Sequence, residues 1–138
     1  MGVMVAHIPT DQIAAYWGDF SKYVEKAAAR YEKDYDFADV ARALGDGRSA
    51  LFGVWVDDRP QAALVVSEVV YPKRKKMLIE LVGGDDADKW YKEAIEKLLD
   101  VAQSAGYAAL VSNARLGWTK MAKSVNFKQA HVAYEREF

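Results

Sequence analysis

"MLIELVGGDDADKW", residues 77 to 90, decides how the rest of the chain is read. The apolar run Met77–Gly84 has the pattern of a strand, and two glycines end it. Trp90, Ala94, Ile95, Leu98, Val101, Ala102 and Ala105 then recur at helical steps, with Gly106 at the C-terminal cap. "YAALVSN" (Tyr107–Asn113) follows as a buried strand. A strand, a helix and a returning strand make the two strands parallel neighbours.

Upstream, "ALFGVWV" (Ala50–Val56) and "QAALVVSEVVY" (Gln61–Tyr71) are strand-like, and the turns "DDRP" and "PKRKK" separate them from each other and from Met77–Gly84. Strands joined by turns this short pair as an antiparallel meander. "VMVAHI" (Val3–Ile8) is a first strand, which Pro9 and Thr10 end. From Asp11 to Arg30 the residues Ile13, Tyr16, Trp17, Phe20, Val24, Ala27 and Ala28 lay one apolar face on a helix, extended by Tyr31. Asp36 caps a shorter helix carrying Phe37, Val40 and Leu44, and Gly45 stops it. Downstream, "RLGWTKMAKSV" reads as a short helix with Trp118, Met121 and Val125 inward. "FKQAHVAYEREF" reads as a closing strand, with Ala130, Val132 and Tyr134 alternating against Gln129, His131 and Ala133. The expected order is β-α-α-β-β-β-α-β-α-β. It makes an α/β (α+β) fold, a mixed, mostly antiparallel central sheet flanked by helices, as one domain over residues 1–138.

Composition excludes several classes. The net charge is −1 at pH 7, so no global field draws the chain to nucleic acid or an acidic lipid surface. Cysteine is absent, which removes disulfides and thiolate metal sites. No apolar run approaches the ~20 residues of a membrane span, and "MGVMVAHIPT" has no signal-peptide pattern. The expectation is a soluble cytoplasmic protein. His7 and His131 have no metal-ligand spacing, so no metal is expected. Ser67, Ser112 and Ser124 lack a nucleophile-elbow context. "PKRKK" lacks the interleaved aromatics and second basic face of a nucleic-acid surface, so it reads as a solvated turn. Trp17 adjoins Tyr16, and both cannot point fully inward. An exposed aromatic there would suit a protein interface, leaving room for a homo-oligomer.

A glycine turn that opens a helix presents free N–H groups and a dipole to an anion. Asp85, Asp86 and Asp88 occupy that place here. Two like charges ~4 Å apart repel by a few kcal/mol in a partly buried setting. The helix dipole returns at most ~1 kcal/mol at a surface terminus. Repulsion therefore wins unless Lys89 or Lys92 covers the phosphates. Asp85 with Asp88 three residues on also suits a capping-box-like start.

This order at this length resembles the GNAT superfamily, the acyl-CoA N-acyltransferase fold. "MLIELV" feeding a long helix, "SAGYAAL" as helix, cap and strand, and "WTKMAKSVNF" as the late helix carry the resemblance. The segment "ALVSNARLGWTKMAKSVNFKQAHVAYEREF" is similar to small GNAT-like proteins of bacteriophages and prophages. The matching residues are Arg115, Gly117, Trp118, Phe127, Glu135 and Glu137, with Ala114 in place of that group's first Gly.

The resemblance implies acetyl-CoA as cofactor and Glu80 as general base, in a strand whose burial would raise its pKa to a useful value. It implies a cofactor loop of Leu81, Val82, Gly83 and Gly84 with Lys89 and Lys92. Two departures stand against turnover. Lys89 and Tyr91 fall where the family carries small residues, and Ala122 falls where many members carry a Tyr that protonates the leaving thiolate. The resemblance therefore implies either an N-acetyltransferase with a degenerate cofactor loop or a catalytically silent phage protein. The latter would act as a virion component or host-interaction module, with virion or host proteins as partners and the host cytoplasm or virion as its location.

Overall fold

The computed structural model describes residues 2–113 and 118–138. Five strands are described, β1 (Val3–Ile8), β2 (Ala50–Val56), β3 (Arg59–Val70), β4 (Lys75–Gly84) and β5 (Leu110–Ser112). The helices are α1 (Ile13–Ala28), α2 (Phe37–Gly45), α3 (Tyr91–Ser104) and α4 (Thr119–Ser124). The strands lie in the order β1-β2-β3-β4-β5, antiparallel through β4 and parallel between β4 and β5. This is the mixed, mostly antiparallel sheet the sequence implies, including the parallel return across α3.

The β2–β3 hairpin turns on Asp57 and Asp58, both left-handed with φ of 50° and 66°. Two such residues in a row are what a tight hairpin needs, and Asp tolerates that region better than most side chains. Capping of α2 follows its sequence signature. Asp36 accepts from the Asp39 N–H at 2.9 Å, and Asp39 accepts from the Asp36 N–H at 3.0 Å. Those bonds and Arg42 hold the Asp39 carboxyl below its ordinary range.

Two bulges break the strand pairing. Between β2 and β3, Val54 pairs Ala62 and Trp55 pairs Pro60, leaving Gln61 as the extra residue. Between β3 and β4, Val65 pairs Leu81 and Val66 pairs Ile79, leaving Glu80 as the extra residue. A bulge shifts the alternation of faces by one residue. Met77 and Ile79 therefore join the core beneath α3, whereas Leu81 joins the core beneath α1 and α2.

Those two cores cover the two faces of the sheet. Phe20, Val24, Ala27, Val40 and Leu44 pack on Leu51, Ala63, Val65 and Leu81. Trp90, Ala94, Leu98 and Ala102 pack on Phe52, Val54, Leu64, Val66 and Ile79. Phe20 is fully buried, which contributes about 1.5–3 kcal/mol for a side chain of this kind. Trp17 stacks on Phe37 at 5.7 Å and joins α1 to α2. Tyr16 remains exposed, edge-on to Trp55 at 6.2 Å.

The glycines that end β4 serve packing. A Cβ on Gly83 would strike the Tyr23 carbonyl of α1. A Cβ on Gly84 would strike Ala62 and stand 2.8 Å from the Gln61 carbonyl oxygen. Both absent side chains let the chain's own backbone approach.

The structure departs from the sequence reading at several places. The strand expected over Tyr107–Asn113 is only Leu110–Ser112, because its pairing with β4 covers three residues. Trp90 precedes α3 instead of lying within it, though its side chain is buried. No aspartate side chain caps the 3-10 turn Ala87–Lys89 or α3. Residues 127–138 form no strand, and Val132, Tyr134 and Phe138 are exposed. Alternation makes a strand only where an edge is available to pair with. The neighbouring strand β5 offers just three residues. The tail's described ion pair runs instead from Glu137 to Lys33 at 3.4 Å. The motif positions Ala114, Arg115 and Gly117 lie outside the described residues.

Gly83→Ala is expected to destabilise the fold by about 1–3 kcal/mol, because the obstacle is rigid backbone. Gly18→Ala, on the exposed side of α1 with nothing within 4 Å of its Cβ, is expected to stabilise by about 0.5–1 kcal/mol. Urea unfolding of the two variants checks both signs. A neutral Gly83→Ala would show that the α1–β4 approach is not tight.

Candidate active site

The Glu80 bulge places a carboxylate where β4 parts from β5. The parallel pairing covers only Met77 to Ile79 on β4, opposite Leu110 to Ser112. Beyond Ile79 a cavity of about 110 Å³ opens. Val82 and Glu80 line it from β4, Ser112 and Asn113 from the end of β5, Tyr91 and Ile95 from α3. Trp118, Met121 and Ala122 close the side toward α4, and Arg30 with Tyr31 the side toward α1.

Glu80 is half-buried and held. The Ser67 hydroxyl, on the adjacent strand, donates to Glu80 Oε1 at 2.7 Å. Tyr31 and Tyr35 stack at 5.5 Å and 13° on the α1–α2 side of the sheet. Burial pushes the Tyr35 phenol up to about 12, helped by Tyr31, by the nearby Glu80 charge and by Asp34. Tyr35 thus stays neutral at any physiological pH. The carboxylate sits on an apolar and aromatic wall with one fixed hydrogen bond, an arrangement that can receive a proton from a ligand in the cavity.

The loop from β4 to α3 is pinned by its own backbone. The Asp85 carbonyl accepts from the Trp90 indole N–H and from the Gln61 amide, each at 2.8 Å. The Asp85 N–H donates to the Gln61 carbonyl at 3.2 Å. Asp86 takes the left-handed conformation, φ 53°. Two of the three aspartates stand beside lysines: Lys26 of α1 is 3.8 Å from Asp85, and Lys89 is 3.6 Å from Asp86. Both pairs are exposed and add little stability, but they reduce the negative field over the loop. The first α-helical bond of α3 runs from the Ala94 N–H to the Trp90 carbonyl. Among the described residues no side chain caps the first turn of α3, where the N–H groups of Tyr91, Lys92 and Glu93 lie as an anion would need them.

The residues singled out from the sequence divide. Glu80 and Val82 line the cavity. Leu81 is buried in the opposite core, and Gly83 and Gly84 face Tyr23 and Ala62. Lys89 is engaged with Asp86, and Lys92 is exposed on the first turn of α3. Sequence reasoning missed Ser67, Arg30, Tyr31 and Tyr91 as parts of the site. Ser67 and Glu80 meet only through the β3–β4 register, and that register turns on a bulge with no sequence signature. Tyr91, read as an obstacle, lines the cavity, and its hydroxyl lies 3.0 Å from Ser124 Oγ at the end of α4.

No protein-family model matches the chain, and no curated sequence matches it. Solved structures do. A ribosomal-protein-alanine N-acetyltransferase from Brucella melitensis biovar Abortus 2308 superposes with a TM-score of 0.71 at 16% identity, over 99% of each chain. An aminoglycoside acetyltransferase from an uncultured soil metagenomic sample, solved with sisomicin, gives 0.69 at 11% identity, over 99% of this chain and 96% of that one. Glucosamine-6-phosphate N-acetyltransferase from Arabidopsis thaliana gives 0.65 at 13% identity, over 100% and 99%. The chain has the fold of these acetyltransferases, the one its resemblance to the GNAT superfamily implied.

Proposed function

We propose that the protein is an acyl-CoA-dependent N-acetyltransferase with Glu80 as its general base. The observation that carries this reading is the placement of Glu80: on a bulge, fixed by Ser67, facing the cavity where β4 and β5 separate. The residues present fit the cofactor. An apolar slot between Val82, Ile95, Met121 and Ala122 suits a pantetheine arm, and the uncapped amides of Tyr91, Lys92 and Glu93 suit a pyrophosphate. Lys26 and Lys89 offset the aspartates beside that turn. Bound acetyl-CoA would supply a thioester carbonyl as the electrophile.

The chain's own groups then manage protons. Glu80 takes the proton that the acceptor amine must lose as its nitrogen bonds to the carbonyl carbon and the carbon–sulfur bond breaks. The departing sulfur needs a proton, and position 122 offers only a methyl group. Tyr91, on the cavity wall, is the phenol we assign to that role. Its O–H donates to Ser124 Oγ, whose own hydroxyl donates to the Met121 carbonyl, and it must turn from Ser124 to reach the sulfur.

A second reading keeps the fold without turnover: a phage-type protein acting in a virion or on a host partner. Ala122 and the bulky Lys89 and Tyr91 favour it. Acetyl-CoA binding separates the two. At 100-fold over its dissociation constant, a ligand specific for the folded state stabilises by about 2.7 kcal/mol. A thermal shift of that size is expected, and none at millimolar acetyl-CoA would sink the enzyme.

Glu80→Gln is expected to keep acetyl-CoA binding and lose about 10²–10⁴-fold in kcat. Undiminished turnover would remove Glu80 as the base. Ser67→Ala is expected to lower kcat about tenfold with KM nearly unchanged, since a hydrogen bond to a charged group is worth roughly 1.5–3 kcal/mol. Ser67→Thr should restore most of the loss; equal loss in both variants would mean that Ser67 does not act through its hydroxyl.

A further inference from the structure

The cavity holds one positive and one negative side chain that do not pair with each other. Among the described residues lining it, Arg30 and Glu80 carry the only formal charges. Glu80 is bonded to Ser67. Arg30, exposed on the 3-10 turn Ala29–Tyr31 at the end of α1, has no ion-pair or hydrogen-bond partner among the described residues. By contrast, Arg42 and Arg48 are each engaged with an aspartate, at 3.1 and 3.0 Å. Tyr31 lines the cavity beside Arg30, and its stack with Tyr35 presents an aromatic wall near Glu80. Opposite charges held apart in one mostly apolar cavity are complementary to a ligand carrying the two opposite charges itself.

We propose that the acceptor is a small primary amine that also carries an anionic group, a carboxylate or a phosphate: Arg30 binds the anion, and Glu80 receives the amine. This rests on the N-acetyltransferase reading and adds the substrate class. An aromatic face beside a carboxylate suits an ammonium group before it loses its proton. A guanidinium binds carboxylate or phosphate through paired N–H donors, which orients the molecule as well as holding it. The same guanidinium disfavours a polycation, whose second charge would approach Arg30 without a counter-charge. Glu80 alone would accept any amine; the pair selects.

The test uses the full chain and three kinds of acceptor with acetyl-CoA. Amino acids and an amino-sugar phosphate are compared with their uncharged amide or dephosphorylated counterparts, and with spermidine. The anionic amines are expected to have the higher kcat/KM, by about tenfold or more over the neutral counterparts. Arg30→Gln should raise KM about tenfold for the anionic amines alone and leave kcat within about twofold. Calorimetry on protein saturated with CoA gives a readout without turnover: the anionic amine should bind wild type and weaken in the variant, while acetyl-CoA affinity stays unchanged. Arg30 is exposed, so the variant is expected to fold.

Preference for spermidine with indifference to Arg30→Gln overturns the proposal and leaves the acetyltransferase standing. Loss of acetyl-CoA affinity in Arg30→Gln also overturns it, by assigning Arg30 to the cofactor. Carboxylates against phosphates in the same panel fixes which anion is taken. If acetyl-CoA itself fails to bind, the acetyltransferase reading falls and this proposal falls with it.

Discussion

The extra residue in β4 is the constraint on which the site depends. Without it, Met77, Ile79 and Leu81 would share one face, as residues two apart in a strand do. With it, Ile79 packs under α3 and Leu81 under α1 and α2. One strand thereby serves both cores in turn. Glu80 is the residue left over, and it escapes the apolar alternation that would otherwise bury it or turn it to solvent. The β4–β5 pairing stops at Ile79, beside the same bulge. A register irregularity, a carboxylate and a cleft are thus one structural event. Bulges often stand next to functional sites because they re-aim a side chain and end pairing at one place.

The second bulge does similar work for the loop. Gln61 is the extra residue of β3, and its amide and carbonyl grip both backbone groups of Asp85. Trp90 adds an indole hydrogen bond to the same carbonyl while its ring fills the core under α3. The loop is short and rigid for reasons internal to the protein. Its glycines admit Tyr23 and Ala62, so they carry no information about a phosphate. Its aspartates are not caps: Asp85 meets Lys26 from a distant helix, and Asp86 meets Lys89 from the next turn. In the fold Lys26 of α1 stands 3.8 Å from Asp85, a counter-charge that nothing in the local sequence brings to this loop.

The elements were legible wherever the chain's local pattern and its tertiary setting agree. Ala50–Val56 alternates between two cores, and it is a strand with those bounds. Asp36 caps α2 as its place before the apolar steps implies, with Asp39 completing a capping box. The tail of residues 127–138 also alternates, yet it lacks a long edge to join, and pattern alone cannot supply one. The site was half legible. Glu80 stands out as a charge in an apolar run. Ser67, thirteen residues earlier, stands out in nothing. Arg30 and Tyr31 reach the cavity because α1 crosses β4, which is a fact of packing with no trace in spacing.

Position 122 bears on the proposed proton donor. The late helix offers a methyl group there, and by sequence alone the proton donor is simply missing. The structure puts Tyr91 on the same cavity wall, tied to the same helix through Ser124. That phenol comes from the start of α3, the position that had counted against a cofactor loop. Tyr91 and Ala122 line the same cavity, so the proposed donor and the position that lacks one share a wall.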